Sequence, residues 1–349
     1  MHDDFQVIEG EYLRDLLEQR VALQNTLEGL TVSAPLDHLA RRLAEGEFRR
    51  IVLTGMGSSF HALHPINFDL IQHGFTSIMV ETSELLHYAT RLLDPTTLII
   101  VVSQSGQSAE VVRLLEINCE ANPIIAITNT ETSPLALKSA AVILTRAGRE
   151  FSVSCKTYVC TLLALQWLAS VLCQRDPEPA RDESQQVPSA VAAYLQHWKE
   201  HVALLLEVLK DIRHLFIVGR GASLAAVGTG GLIIKESDHF HAEGMSSAAF
   251  RHGPFEMLDE KTFVLVFAGD EKTRDLNAPL VEHVRQQGAR AEMVGEETSV
   301  RAFRLPKHST AARPILEILP VQMITLALAA LARREAGKFE RATKITTTE

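Results

Sequence analysis

Residues 98–112, LIIVVSQSGQSAEVV, carry the first grouping with chemical potential. Five apolar residues run into Ser103-Gln104-Ser105-Gly106-Gln107-Ser108, and an apolar pattern resumes at Ala109. Hydroxyls donate hydrogen bonds without bringing charge. Glycine admits close backbone approach, and the unpaired N–H groups at a helix start favour an anion. A second loop, Gly55-Met56-Gly57-Ser58-Ser59, has the same character. Taken singly, each is a strand-to-helix turn with a capping serine, Ser108 being a cap candidate. Two such loops at matching strand ends point instead to a cradle for a phosphate monoester, built without lysine or arginine. The pattern is not a Walker loop, which needs GK[ST], and no GxGxxG follows the first strand.

Three further groups could move protons or hold a cation. Glu236 follows the apolar stretch GGLIIK. Desolvation there would raise a carboxyl towards neutrality, as a proton shuttle requires, although a lone glutamate at a helix end is normally a solvated charge. His252 stands in RHGP, where Gly253-Pro254 ends a helix and holds the imidazole at its terminus. Imidazole exchanges protons near neutral pH; a lone helix-terminal histidine is also simply favoured by the helix dipole. His239 and His241 alternate in DHFHAE, expected to be a strand, with Glu243 nearby. Alternation would put both on one face, as a metal needs. No third ligand has recognisable spacing, and no metal or other cofactor is expected.

These groups must be positioned by an α/β frame. The first 48 residues read as helical, with apolar residues at helical spacing in EYLRDLLEQRVALQNTLEGL. Short β-like runs then alternate with helices: RIVLTG, SIMVE, LIIVVS, IIAIT and AVILT. Such alternation predicts a parallel sheet covered by helices on both faces, a three-layer α/β sandwich. Residues 174–189, QRDPEPARDESQQVPS, are polar and proline-rich and read as a linker. The pattern then restarts. LFIVGRGAS echoes IVLTGMGSS, so that Gly55 and Gly57 recur as Gly219 and Gly221, 164 positions later. FVLVFAGDE sits where that offset places IIVVSQSGQ. One α/β domain is duplicated, and the serine loop survives only in the first copy, which predicts one composite site per chain. The expected division is a helical segment 1–48, domains 49–173 and 190–335 around the linker 174–189, and a tail 336–349.

Composition narrows the partners. With 349 residues, 46% hydrophobic and a net charge of −9, the chain can build a large core and shows no basic surplus for nucleic acid. Cys119, Cys155, Cys160 and Cys173 form no CxxC pair and read as reduced thiols of a cytosolic protein. The acidic start MHDDFQVIEGEY lacks an apolar signal core. The apolar run ILEILPVQMITLALAALA carries Glu317, Pro320 and Gln322, and is expected as a buried helix rather than a membrane span.

At this point the motifs match a family. TGMGSSF, VVSQSGQSAE and IIAITNTETSPLA resemble the sugar isomerase (SIS) domain. KESDHFHAEGMSSAAFRHGPFEMLD, PVQMITLALA and KITTTE resemble the isomerase domain of glutamine–fructose-6-phosphate aminotransferase, or glucosamine-6-phosphate synthase, and the chain is also similar to fructosamine-6-phosphate deglycases. The resemblance covers the chain from about residue 12. It implies that Gly57, Ser58, Ser59, Ser103, Gln104, Ser105, Ser108, Val153, Ser154 and Lys156 bind the sugar phosphate. It also implies that Glu236 moves a proton between C1 and C2, that His252 opens the sugar ring from the partner subunit, and that Lys344 lies at the sugar, where it can form a Schiff base. A homodimer or larger even oligomer follows, with no membrane partner. Three departures stand out. Ile233 replaces a family lysine, VSCK is one residue shorter than the family segment, and REAGKFERATK replaces an acidic, proline-containing stretch. The chain begins Met-His, so no glutaminase domain with its N-terminal cysteine is expected. An isomerase or isomerase-deaminase, a fructosamine-6-phosphate deglycase, and a non-catalytic sugar-phosphate sensor all remain open.

Overall fold

A computed structural model describes residues 5–118, 121–309, 312–341, 343, 344 and 346. The chain divides into two compact units. One contains residues 21–149, 156–186 and 342–349; the other contains residues 1–20, 150–155 and 187–341.

The first unit holds a sheet of β1 (Arg50–Gly55), β2 (Ser77–Glu81), β3 (Thr97–Val102), β4 (Ile124–Thr128) and β5 (Ala141–Leu144). Every pairing is parallel and the order is β2-β1-β3-β4-β5. All five runs expected from the sequence are strands. β3 and β4 are buried at every residue, which explains their unbroken apolar character, since helices cover both faces of a parallel sheet. Val52, Ile99, Val101, Val111, Leu114 and Ala126 form part of one core cluster between this sheet and its helices.

The second unit repeats the plan with β6 (His214–Gly219), β7 (Ala242–Ser246), β8 (Thr262–Phe267) and β9 (Arg290–Val294). These are again parallel, in the order β7-β6-β8-β9. β7-β6-β8-β9 matches β2-β1-β3-β4 position for position, so the duplication read from the glycines holds for the topology. The apolar run near the C-terminus is the helix Arg313–Leu331, and 94% of its most apolar window is buried. Two of its polar residues find partners inside this unit: Gln322 and Gln19 exchange hydrogen bonds of 2.9 and 3.3 Å, and Thr325 donates to Tyr12 at 3.1 Å.

Residues 174–189, expected as a linker, are helical in part. They carry the helix Pro177–Ser184, whose N-cap Asp176 accepts the Glu178 N–H at 3.1 Å. Asp-Pro is a helix start, with the proline at a position whose N–H has no helical partner, and an exposed short helix is polar by composition. The expected strand over DHFHAE needs correcting. The helix Leu224–Asp238 runs through Asp238, His239 caps it in the left-handed conformation, and β7 begins only at Ala242. His239 and His241 therefore do not alternate on a strand. His239 lies 3.8 Å from Glu340 and His241 lies 3.5 Å from Glu243. Among the described residues no three His, Cys, Asp or Glu groups cluster as metal ligands. Cys155 and Cys160 are buried and Cys173 is half-buried, while Cys119 lies outside the described residues.

Candidate functional site

In the first unit the chain steps from β1 to its neighbour β2 and then crosses to β3 on the other side. That reversal opens a crevice beyond the carboxyl ends of β1 and β3, where ligands of open parallel sheets bind. Gly55 pairs beside Val102, so the Gly55–Ser59 and Ser103–Ser108 loops leave adjacent strands at the same level. Both sequence-predicted loops meet here.

The serine loop is folded by its own side chains. Ser103 Oγ accepts the Gly106 N–H at 3.1 Å, and Ser105 Oγ accepts the Gln107 N–H at 3.3 Å. Each hydroxyl thus uses a lone pair on the loop and keeps its O–H as a donor. Both serines are buried, Gln104 and Ser108 are half-buried. Gly106 has φ +63°, and a Cβ there would lie 2.2 Å from Ser133 Oγ. In the other loop Gly57 sits at φ 53°, ψ −127°, a conformation that side-chain-bearing residues avoid. Gly57, Ser58 and Ser59 are half-buried. The helix Ala109–Asn118 follows Ser108, and its first N–H, from Ala109, donates to Thr346 O at 3.2 Å. The C-terminal tail therefore reaches the serine loop, and half-buried Lys344 stands two residues from that contact.

Sequence reasoning passed over the residues that hold the loop in place. Thr128 Oγ1 and the Asn129 N–H both donate to Gln104 O, at 3.2 and 3.0 Å. Asn129 Oδ1 accepts from Thr145 Oγ1 at 2.9 Å and from the Ala147 N–H at 2.8 Å, and its Nδ2 donates to Gly148 O at 2.8 Å. The available signal was their place at the end of the strand IIAIT, Thr128 closing it and Asn129 following it. Lys156, which the resemblance places at the sugar phosphate, is buried. It starts the helix Lys156–Leu172, is only 2% exposed, and donates to Arg149 O at 2.8 Å. Val153 is buried and Ser154 half-buried in the segment 150–155, which clusters with the second unit. There Asp15 accepts from the Phe151 N–H at 2.9 Å and from Ser152 Oγ at 3.2 Å, and Glu150 accepts from the Cys155 N–H at 2.9 Å.

The second unit carries the proposed proton-transfer groups. Glu236 is half-buried near the end of the helix Leu224–Asp238. That helix lies on β7 with almost no separation: a Cβ on Gly231 would meet Gly244 N at 2.6 Å, and one on Gly244 would meet Val227 O at 2.0 Å. His252 follows β7 through a short helix, Ser247–Arg251, capped by Ser246 Oγ accepting the Ala249 N–H at 3.0 Å. Gly253, at φ +140°, turns the chain there, and the imidazole is exposed. The helix runs back antiparallel to β6 and β7, as every parallel crossover must. Glu236 therefore lies towards the amino end of the sheet and His252 beyond its carboxyl end. The five residues of β7 alone separate them by roughly 17 Å. Within this unit the two do not meet.

A model of the SIS domain matches residues 47–171 and again residues 208–332. The chain belongs to the SIS-domain family. The two matched SIS stretches contain the two sheets described above. Glutamine–fructose-6-phosphate aminotransferase [isomerizing] of Thermococcus kodakarensis is 28% identical over 97% of this chain and 58% of its own length. The chain thus spans little more than half of that relative. The C-terminal domain of glucosamine-fructose-6-phosphate aminotransferase from Francisella tularensis shares the fold, with a TM-score of 0.84 at 20% identity over 95% of this chain and 98% of that one. Tagatose-6-phosphate ketose/aldose isomerase from Escherichia coli shares it with a TM-score of 0.78 at 20% identity, over 94% and 95%.

Proposed function

We propose that the protein is a phosphosugar enzyme that works by enolisation at C1 and C2 of an amino-sugar or ketose phosphate, as an aldose–ketose isomerase or isomerase-deaminase. The observation that carries this reading is the serine loop at the crossing of β1 and β3. The buried hydroxyls of Ser103 and Ser105, which accept from loop amides and keep their O–H groups, offer uncharged donors to a phosphate. The sugar-phosphate names of the curated relative and of the fold neighbours support the same substrate class.

In the proposed reaction the imidazole of His252 opens the sugar ring. Glu236 then takes the proton from the carbon beside the carbonyl. The C–H electron pair becomes the C1=C2 bond, and the carbonyl oxygen gains a proton to give the enediol or enolamine. Glu236 returns the proton to the neighbouring carbon, and the hydroxyl or amine on the other carbon releases a proton to solvent as it becomes the new carbonyl or imine, balancing the one the first carbonyl oxygen took up. Because Glu236 and His252 lie at opposite ends of one sheet, the reading requires a second copy, with His252 of the partner subunit completing the site. Lys344, on the tail that reaches the serine loop, would sit at the sugar.

A specific observation favours a second reading, that of a deglycase releasing an amine from a fructosamine 6-phosphate. Ile233 is fully buried where the resemblance has a lysine, so this chain has one fewer cation on the helix that carries Glu236. Incubation with hexose, hexosamine and fructosamine 6-phosphates tests both. Isomer or ammonia supports the first reading, and free amine with a sugar phosphate supports the second. Tight binding without any product would leave a sensor and overturn both.

A further inference from the structure

The second SIS unit has lost the serine loop, yet it keeps a cavity near the corresponding strand ends. The cavity, of about 130 Å³, lies past the carboxyl ends of β8 and β9. That volume admits more than a single water and is too small for a drug-sized ligand. Its floor is Ala268-Gly269 and Gly295; its walls are Arg274, Glu296, Glu297, His308, Arg313 and Glu317.

Two of these side chains are buried with a polar atom that has no partner among the described residues. Glu317 is 1% exposed; Oε1 accepts from Ser223 Oγ at 2.9 Å, and Oε2 has no partner. The side chain of His308 is 5% exposed. Its Nδ1 lies 2.7 Å from Pro306 O and 3.2 Å from Glu296 Oε1, both acceptors, so Nδ1 carries a hydrogen; Nε2 has no partner and in the neutral ring is an acceptor. Burial pushes the Glu317 carboxyl up to about 8, against the smaller opposing pulls of Ser223 and Arg313, with Asp270 adding slightly to the rise. At neutral pH it is therefore an acid whose O–H sits on Oε2, because Oε1 is already accepting. One wall thus offers a donor and the other an acceptor. A hydroxyl, which both donates and accepts, satisfies the pair. The charges around them balance, Arg274 and Arg313 against Glu296 and Glu297, which favours a neutral guest over an anion or a cation.

We propose that this cavity is a second binding site, for a small neutral polyol, recognised through Glu317 and His308. It is distinct from the serine loop and independent of the enolisation reading. Ligand-observed NMR on the full-length protein, with erythritol as the probe, tests it. Erythritol should bind the parent and the Glu317→Gln variant, since the amide also presents a donor and an acceptor. Glu317→Leu and His308→Phe should each weaken binding about tenfold or more, while Ser105→Ala leaves it unchanged. Raising the pH through about 8 should weaken binding to the parent but not to Glu317→Gln. The groups facing that carboxyl, Ser223, Asp270, Arg274, Glu296, Glu297, His308 and Arg313, are the same in both proteins. The proposal is overturned if erythritol does not bind the parent, or if folded Glu317→Leu and His308→Phe proteins bind as the parent does. It is also overturned if inorganic phosphate displaces the polyol, which would mark an anion site.

Discussion

Single residues here combine structural and chemical work, and their replacement should separate the two. Ser105 folds the loop with its lone pair and leaves its O–H for a ligand. Ser105→Ala should weaken binding of a sugar phosphate about tenfold, roughly 1.5 kcal/mol, the worth of a hydrogen bond to a charged group. Calorimetry on the phosphate and the free sugar checks this, and equal affinity of the parent for both would contradict the phosphate cradle. His201 gives a pH dependence. It lies in the second unit with its ring 4.4 Å from that of Tyr194, and burial, helped by His197 and Arg301, pushes its imidazole down to about 4. An unfolded histidine titrates near 6.5, so the unfolded state takes up the proton first. The contribution is whole above pH ~6.5 and is lost as the pH falls through about 4. Melting temperatures between pH 7.5 and 4 should fall for the parent and fall less for His201→Phe; parallel curves would rule the residue out.

At the scale of elements, close packing positions Glu236. The helix Leu224–Asp238 meets β7 through Gly231 and Gly244, where a Cβ has no room. Gly244→Ala must push the helix off the strand, a shift expected to cost ~1–3 kcal/mol in denaturant unfolding, as overpacking does. Unfolding indistinguishable from the parent would show that the helix is not held there. The strands of the first unit were legible because buried parallel strands are continuous apolar runs, as in LIIVV and IIAIT. The serine loop was legible because five polar residues and a glycine between two apolar patterns have no packing explanation. The helix Pro177–Ser184 was hidden by its own exposure, since a solvated helix and a linker share a composition. The end of the helix at Asp238 was hidden because His239 caps it without a glycine. Asn129 was missed because its role lies in contacts with Thr145 and Ala147, distant in sequence.

At the scale of the molecule, two copies of one sheet order have diverged, one keeping the serine loop and the other carrying the Glu236 helix and His252. Because Glu236 and His252 lie at opposite ends of a single sheet, a homodimer or larger even oligomer with shared sites is expected. Mixing inactive Glu236→Gln chains with inactive His252→Ala chains should restore part of the activity, since some hybrid assemblies hold one intact site. Full activity from a species that light scattering shows to be monomeric would contradict this. The central claim is enolisation by Glu236, and the direct measurement is exchange of the substrate's C1 or C2 hydrogen with deuterated solvent, followed by NMR. That exchange reports proton abstraction whatever the final product is. The parent should exchange it, and Glu236→Gln should bind the same phosphosugar with near-parent affinity while exchanging ~10²–10⁴ times more slowly, the loss expected for a positioned base. Exchange by Glu236→Gln at the parent's rate would contradict the account.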